Sequence, residues 1–193
     1  MGAIKLIVGL GNPGPQYQDT RHNAGAWYIE AIAEAYQVTL KEDKKFFGYT
    51  AKLSLPEGDI HLLIPTTFMN RSGQSIQALA SYYKIPVEDI LVAHDELDFE
   101  AGDIRFKEAG GHGGHNGLRD IIAKFGGNNE FLRLRVGIGH PGHKSQVHNY
   151  VLTKPSVADR QKIDDAIYDA LRQLNKIASG DISGAMNELH TKG

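Results

Sequence analysis

Two ionisable side chains stand where apolar runs meet turns. His22 lies in Tyr17-Gln18-Asp19-Thr20-Arg21-His22-Asn23, just ahead of a helical pattern, and Asp95 follows the run Ile90-Leu91-Val92-Ala93. Strand ends in an α/β sheet converge on one edge, so an imidazole and a carboxylate can meet there. The carboxylate would fix the tautomer of the ring and raise its basicity, which is the equipment of a general base. A lone histidine before a helix also reads as a cap or a surface group; the second group, Asp95, is what favours chemistry. With no cysteine in the sequence, thiol nucleophiles, disulfides and thiolate metal sites are all excluded. No G-x-S-x-G elbow is present either, so the natural attacking group is water.

Three further segments offer polar groups to the same edge. Gly9-Leu10-Gly11-Asn12-Pro13-Gly14 formally matches the dinucleotide fingerprint G-x-G-x-x-G. In that fold the third glycine opens a helix, whereas here the helical pattern begins only at about Asn23. The segment reads better as a rigid turn that presents the Asn12 amide to a cleft. Pro65-Thr66-Thr67-Phe68-Met69-Asn70 joins a strand to a helix; Asn70 reads as an N-cap and Phe68 and Met69 as core, or all three as cleft residues. Gly110-Gly111-His112-Gly113-Gly114-His115-Asn116-Gly117 reads as a mobile lid or as a nest of amides for an anion. His112 and His115, like His140 and His143, are three residues apart, which raises zinc. Without H-E-x-x-H, and with the histidines in glycine-rich loops, no metal is expected.

These groups need a scaffold, and 193 residues with 41% hydrophobic and 23% charged content suffice for one domain with an ordinary core. Residues 1–193 are read as a single α/β domain, a mixed twisted β-sheet flanked by α-helices. Strands are predicted at 5–9, 46–53, 60–64, 90–93, 104–106 and 132–138, with a hairpin turn at Pro56-Glu57-Gly58-Asp59. One helix is predicted from Asn23 as N-cap, burying Trp27, Ala31 and Ala35 on one face. Others are predicted over 74–83, over about 118–125, and as one long helix from Ser156 to about Ala178 that buries Ile163, Ala166, Ile167, Ala170, Leu174 and Ile177. There is no apolar run of about 18 residues and no secretory leader pattern, so a soluble cytoplasmic protein is expected.

Charge is uneven. Residues 101–154 carry eight basic and four acidic side chains, a net +4, and the remainder nets −6 against −2 for the whole. Six carboxylates fall between 88 and 100: Glu88, Asp89, Asp95, Glu96, Asp98 and Glu100. A polyanion could be held by one face and repelled elsewhere, as suits a substrate that must be released. A solvated surface of scattered charge is the alternative.

In combination the segments resemble the bacterial peptidyl-tRNA hydrolase family over nearly the whole chain. The resemblance is carried, in order, by GLGNPG at 9–14, TRHNAG at 20–25, TFMNRSG at 67–73, HDELD at 94–98, GGHGGHNGLRD at 110–120 and FLRLRVGIGHP at 131–141. Tyr28 departs from it, occupying a place usually aliphatic or Phe. The resemblance implies hydrolysis of the ester between a peptide and the 3′-terminal ribose of tRNA by a monomer without cofactor. It implies His22 as general base with Asp95 stabilising its charged form, and Asn12 as the residue that recognises the blocked amino group. Tyr17, Phe68, Asn70 and Asn116 would contact the acceptor end, Met69 and His115 would line the cleft, and Lys107, Arg135 and Lys144 would meet acceptor-stem phosphates. The rival class is a non-catalytic RNA-binding module, which binds without turnover.

Overall fold

The computed structural model describes residues 2–191. Seven strands form one sheet: β1 (Leu6–Gly9), β2 (Lys41–Asp43), β3 (Gly48–Leu55), β4 (Gly58–Pro65), β5 (Ile90–Glu96), β6 (Ile104–Glu108) and β7 (Leu132–Gly137), in the spatial order β2-β3-β4-β1-β5-β7-β6. The four central strands β4, β1, β5 and β7 run parallel, and the pairs β2–β3, β3–β4 and β6–β7 are antiparallel. This is the mixed sheet expected. β1 and the first four residues of β5 are continuous apolar runs, as burial on both faces requires; Leu6, Ile7, Val8, Leu91 and Val92 are fully buried.

Helices cover both faces. α1 (Ala24–Ala35), α5 (Val157–Leu171), α6 (Leu174–Ser179) and α7 (Ile182–His190) share one core with Ile7, Leu91 and Leu134, while α2 (Ser72–Tyr83) and α3 (Asn116–Lys124) share the other with Val8, Leu63 and Val92. The short α4 (Val147–Val151) sits at the cleft described below.

Two helix expectations need correction. The first helix buries Ala24 through Ile29 without a break, then Ile32 and Ala33, and leaves Ala35 exposed. It is pressed between the sheet and α5, so its apolar surface is wider than the single stripe a surface helix shows. Asn23 makes no capping bond to it; its side chain is used elsewhere. The predicted 156–178 helix is capped by Ser156 but breaks at Arg172–Gln173 into α5 and α6. The change of direction lets the Ile177 carbonyl accept from the Ile4 N–H at 3.0 Å. All six predicted apolar positions are nonetheless buried, because the period survives the bend.

One close approach sets the geometry of the site. A Cβ on Gly25 would lie 2.2 Å from the Ala93 carbonyl oxygen, and one on Gly9 would lie 2.3 Å from that of Gly25. Only glycine lets α1 cross the ends of β1 and β5 at this distance. The crossing is pinned by hydrogen bonds from Leu10 N–H to Ala93 O (3.0 Å) and from Ala26 N–H to Leu10 O (3.1 Å).

Candidate active site

Because α1 starts against the end of β5, the 3-10 turn Arg21–Asn23 that precedes it falls beside Asp95. The His22 Nδ1–H donates to Asp95 Oδ2 at 2.8 Å, and His115 Nε2–H donates to Oδ1 at 2.7 Å. Asp95 is buried, and burial alone would push its carboxyl up; the two imidazoles more than reverse this and hold it well below the usual carboxylate range. For His22 burial pushes the pKa down, while the Asp95 charge and hydrogen bond raise it to a net position above the ordinary imidazole value. With Nδ1 committed to Asp95, the lone pair of His22 resides on Nε2.

His115 is a different kind of histidine. Its Nδ1 accepts from Gly117 N–H (3.1 Å) and Leu118 N–H (3.3 Å), capping α3. The proton must then sit on Nε2, where it points at Asp95. His22, Asp95 and His115 bring three ligand atoms within 4.8 Å of one another, the geometry of a metal site. The donor set does not suit one, because a ring whose Nδ1 receives two N–H groups keeps no lone pair on Nε2.

Asn12 is held by three bonds. The Asn23 side-chain amide pairs with its main chain, accepting from Asn12 N–H at 2.9 Å and donating to Asn12 O at 3.0 Å. Asn12 Oδ1 accepts from Met69 N–H at 2.7 Å. That fixes the amide so that its NH2 group is what remains for a ligand. Met69 itself is buried, whereas its neighbour Phe68 is 54% exposed and meets Tyr17 edge to face at 6.2 Å. Asn70 and Asn116 are exposed, and Asn116 Oδ1 accepts from Arg119 at 3.0 Å, leaving its NH2 free to donate.

Around these groups opens a cleft of about 1050 Å³. Of the residues singled out from sequence, Asn12, His22, Phe68, Met69, Asn70, Asp95, Lys107, His115, Asn116, Arg135 and Lys144 all line it; Tyr17 stands just outside, against Phe68. Lys107 and Lys144 are exposed. Arg135 differs, for it donates to Glu96 Oε1 at 2.8 Å, lies 3.9 Å from an Asp98 oxygen and covers the Phe99 ring. Three of the six clustered carboxylates therefore lie in the cleft, Asp95 between two imidazoles and Glu96 and Asp98 against Arg135, rather than forming a separate repelling face.

Four contributors escaped the sequence reading. Asn23 was visible only as a helix cap. His94 is buried, donates from Nδ1 to the Asp95 carbonyl at 2.9 Å and packs edge-on to His115; burial and then His115 push it down to about 3, so it is neutral. Arg133 is buried and donates to the carbonyls of Gly110 and Gly111, anchoring the glycine-rich loop. Its signal was masked, because Leu132, Leu134 and Val136 alternate with Arg133 and Arg135 as in a strand with one solvated face, and only the fold buries Arg133. Arg21 donates to Tyr150 O (3.1 Å) and stacks on the Tyr150 ring, tying the His22 turn to α4.

Comparison with known proteins extends this picture to the whole chain. A family model described as Peptidyl-tRNA hydrolase matches residues 6–193. Curated peptidyl-tRNA hydrolases of Tolumonas auensis (58% identical, 97% of this chain and 95% of that protein) and Pseudomonas putida strain GB-1 (57%, 100% and 99%) are similar over nearly their entire lengths. A crystal structure of peptidyl-tRNA hydrolase from Acinetobacter baumannii matches with a TM-score of 0.93 at 49% identity, covering 98% of this chain and 95% of that one. With agreement of this extent in sequence and in fold, the chain belongs to the peptidyl-tRNA hydrolase family.

Proposed function

We propose that this hydrolase cleaves the ester between a peptide and the 3′-terminal ribose of tRNA with a water activated by His22, and so returns tRNA from prematurely released peptidyl-tRNA. The observation that carries the reading is the His22–Asp95 bond at 2.8 Å, which leaves the Nε2 lone pair for the water proton. As the water oxygen adds to the ester carbonyl, Nε2 takes one proton and the imidazolium pairs with the Asp95 carboxylate. Collapse of the tetrahedral intermediate breaks the bond to the ribose oxygen, which leaves with the proton from Nε2. The amide NH2 groups of Asn70 and Asn116 are neutral donors for the oxyanion. The Asn12 NH2 donates to the first peptide carbonyl and distinguishes a blocked from a free amino group. Phe68 and Tyr17 offer ring faces to the unpaired bases of the acceptor end, and Lys107 and Lys144 meet its phosphates. The reading is that of a cytoplasmic monomer that uses no metal.

The test is release of free tRNA from N-acetylaminoacyl-tRNA. The parent protein should turn over equally well before and after dialysis against a strong chelator, and His22→Ala should lose on the order of 10² to 10⁴ in rate. Binding without release would identify an RNA-binding module instead, and zinc-dependent recovery would assign the histidines to a metal.

A further inference from the structure

His112 and His140 occupy two separate stretches of the cleft wall, and the proposed mechanism uses neither. They make the same turn. His112 Nδ1 accepts from Gly114 N–H at 2.9 Å, and His140 Nδ1 accepts from Gly142 N–H at 2.9 Å. In both the glycine has a left-handed backbone, φ 86° and 99°, which aims the N–H back at the ring two residues earlier. A ring that accepts at Nδ1 carries its proton on Nε2. Each therefore offers the cleft a single N–H donor and no acceptor, and no described residue is bonded to either Nε2. Neither belongs to a group that could hold a metal ion among the described residues.

Each ring N–H needs an acceptor, and ribose hydroxyl oxygens, base acceptors, peptide carbonyls and phosphodiester oxygens all qualify. Two lysines that line the same cleft favour the last, the one anionic acceptor among them. The Lys107 ammonium lies 3.0 Å from where a Cβ on Gly110 would stand, in the loop that carries His112, and Lys144 is four residues beyond His140. We propose that His112 and His140 are tRNA-binding residues that hydrogen-bond through Nε2–H to two phosphodiester oxygens of the RNA strand, in the cleft that Lys107 and Lys144 also line. This rests on the peptidyl-tRNA reading but concerns binding alone, so deacylated tRNA can test it without turnover.

His112→Asn and His140→Asn keep an oxygen able to accept the glycine N–H, as in an Asx turn, and lose the donor at the far side of the ring. At about pH 8 each should weaken the Kd for deacylated tRNA about three- to tenfold, the loss of one neutral hydrogen bond. The double variant should lose the product, about ten- to a hundredfold. KM for N-acetylaminoacyl-tRNA should rise by the same factors with kcat kept. The slope of log K against log salt should stay unchanged, because a neutral donor displaces no counterion, while Lys107→Ala lowers it by nearly one. Kd values equal to the parent in both variants would overturn the proposal. A raised KM with unaltered deacylated-tRNA binding would move the contact to the peptide, and a fallen salt slope would show that the rings act as cations; either also overturns it. Intact binding by a parent protein that fails to hydrolyse would instead refute the catalytic reading.

Discussion

In an Asp95→Asn variant one carboxylate oxygen becomes an amide nitrogen, and two imidazole N–H groups that both point at this residue now share one acceptor. His115 cannot easily yield. Reversing its tautomer would strip Gly117 N–H and Leu118 N–H of the acceptor they reach at 3.1 and 3.3 Å, at about 1–3 kcal/mol for each buried group left unpaired. The amide oxygen should therefore face His115, and the amide NH2 should face His22. His22 must then accept at Nδ1 and carry its proton on Nε2, so the lone pair that takes the water proton is gone. Wrong-tautomer imidazoles of this kind cost on the order of 10⁴ in rate in serine-hydrolase triads. We expect a fall in kcat of about 10³ to 10⁴, or about 4–5.5 kcal/mol of barrier. Since the parent His22 has a raised pKa, and only the neutral ring acts as base, the acidic limb of its kcat/KM profile should lie above the ordinary imidazole value. Loss of the Asp95 charge should move the residual limb to lower pH. Single-turnover hydrolysis across pH gives both numbers, and deacylated-tRNA binding should be unchanged. A kcat within threefold of the parent, or an acidic limb that does not move, would refute the tautomer argument; equal loss of tRNA binding would place Asp95 in the scaffold.

Asn12→Asp keeps the acceptor for Met69 N–H but replaces the donor by a carboxylate. The ratio of kcat/KM for blocked over unblocked aminoacyl-tRNA should fall about tenfold or more, and an unchanged ratio would return Asn12 to a turn residue. Among the three predicted phosphate contacts, Lys107→Ala and Lys144→Ala should each reduce the salt slope by about 0.7–0.9. Arg135→Ala should reduce it by less than half of that, because Glu96 already offsets its charge; equal effects for all three would mean that substrate displaces Glu96. Tyr28 is fully buried with its hydroxyl lacking a partner among the described residues. Tyr28→Phe should therefore stabilise by about 1 kcal/mol, raising Tm by about 2–4 °C in calorimetry, and a lowered Tm would show that the hydroxyl is bonded.

The meeting of His22 and Asp95 was legible because the two residues sit at boundaries. An apolar β-branched run that stops at a carboxylate names a strand end, and in an α/β sheet strand ends face one another. The clamp on Asn12 was not legible, since the same Asn23 side chain satisfies the local pattern of a helix cap and only the fold supplies a competing partner. Likewise the break between α5 and α6 leaves no mark in the sequence: neither Gly nor Pro stands at Arg172–Gln173, and tertiary packing bends a helix whose apolar period continues. Arg135 shows the converse limit. Counting charges along residues 101–154 placed it correctly in the basic half, but a count along the chain cannot see Glu96 beside it on the next strand.

His22 and Asn23 are consecutive residues of one 3-10 turn, and they serve different masters: the first reaches Asp95, the second holds both main-chain polar groups of Asn12. The group proposed to activate water and the group proposed to choose the substrate are therefore tied to a single turn. A displacement of that turn cannot loosen one without dragging the other. Selection in the laboratory for variants that accept unblocked substrates should accordingly find few solutions near Asn23 that retain speed, and should enrich instead for changes on the opposite side of Asn12, around Met69, where its amide is held independently of the base.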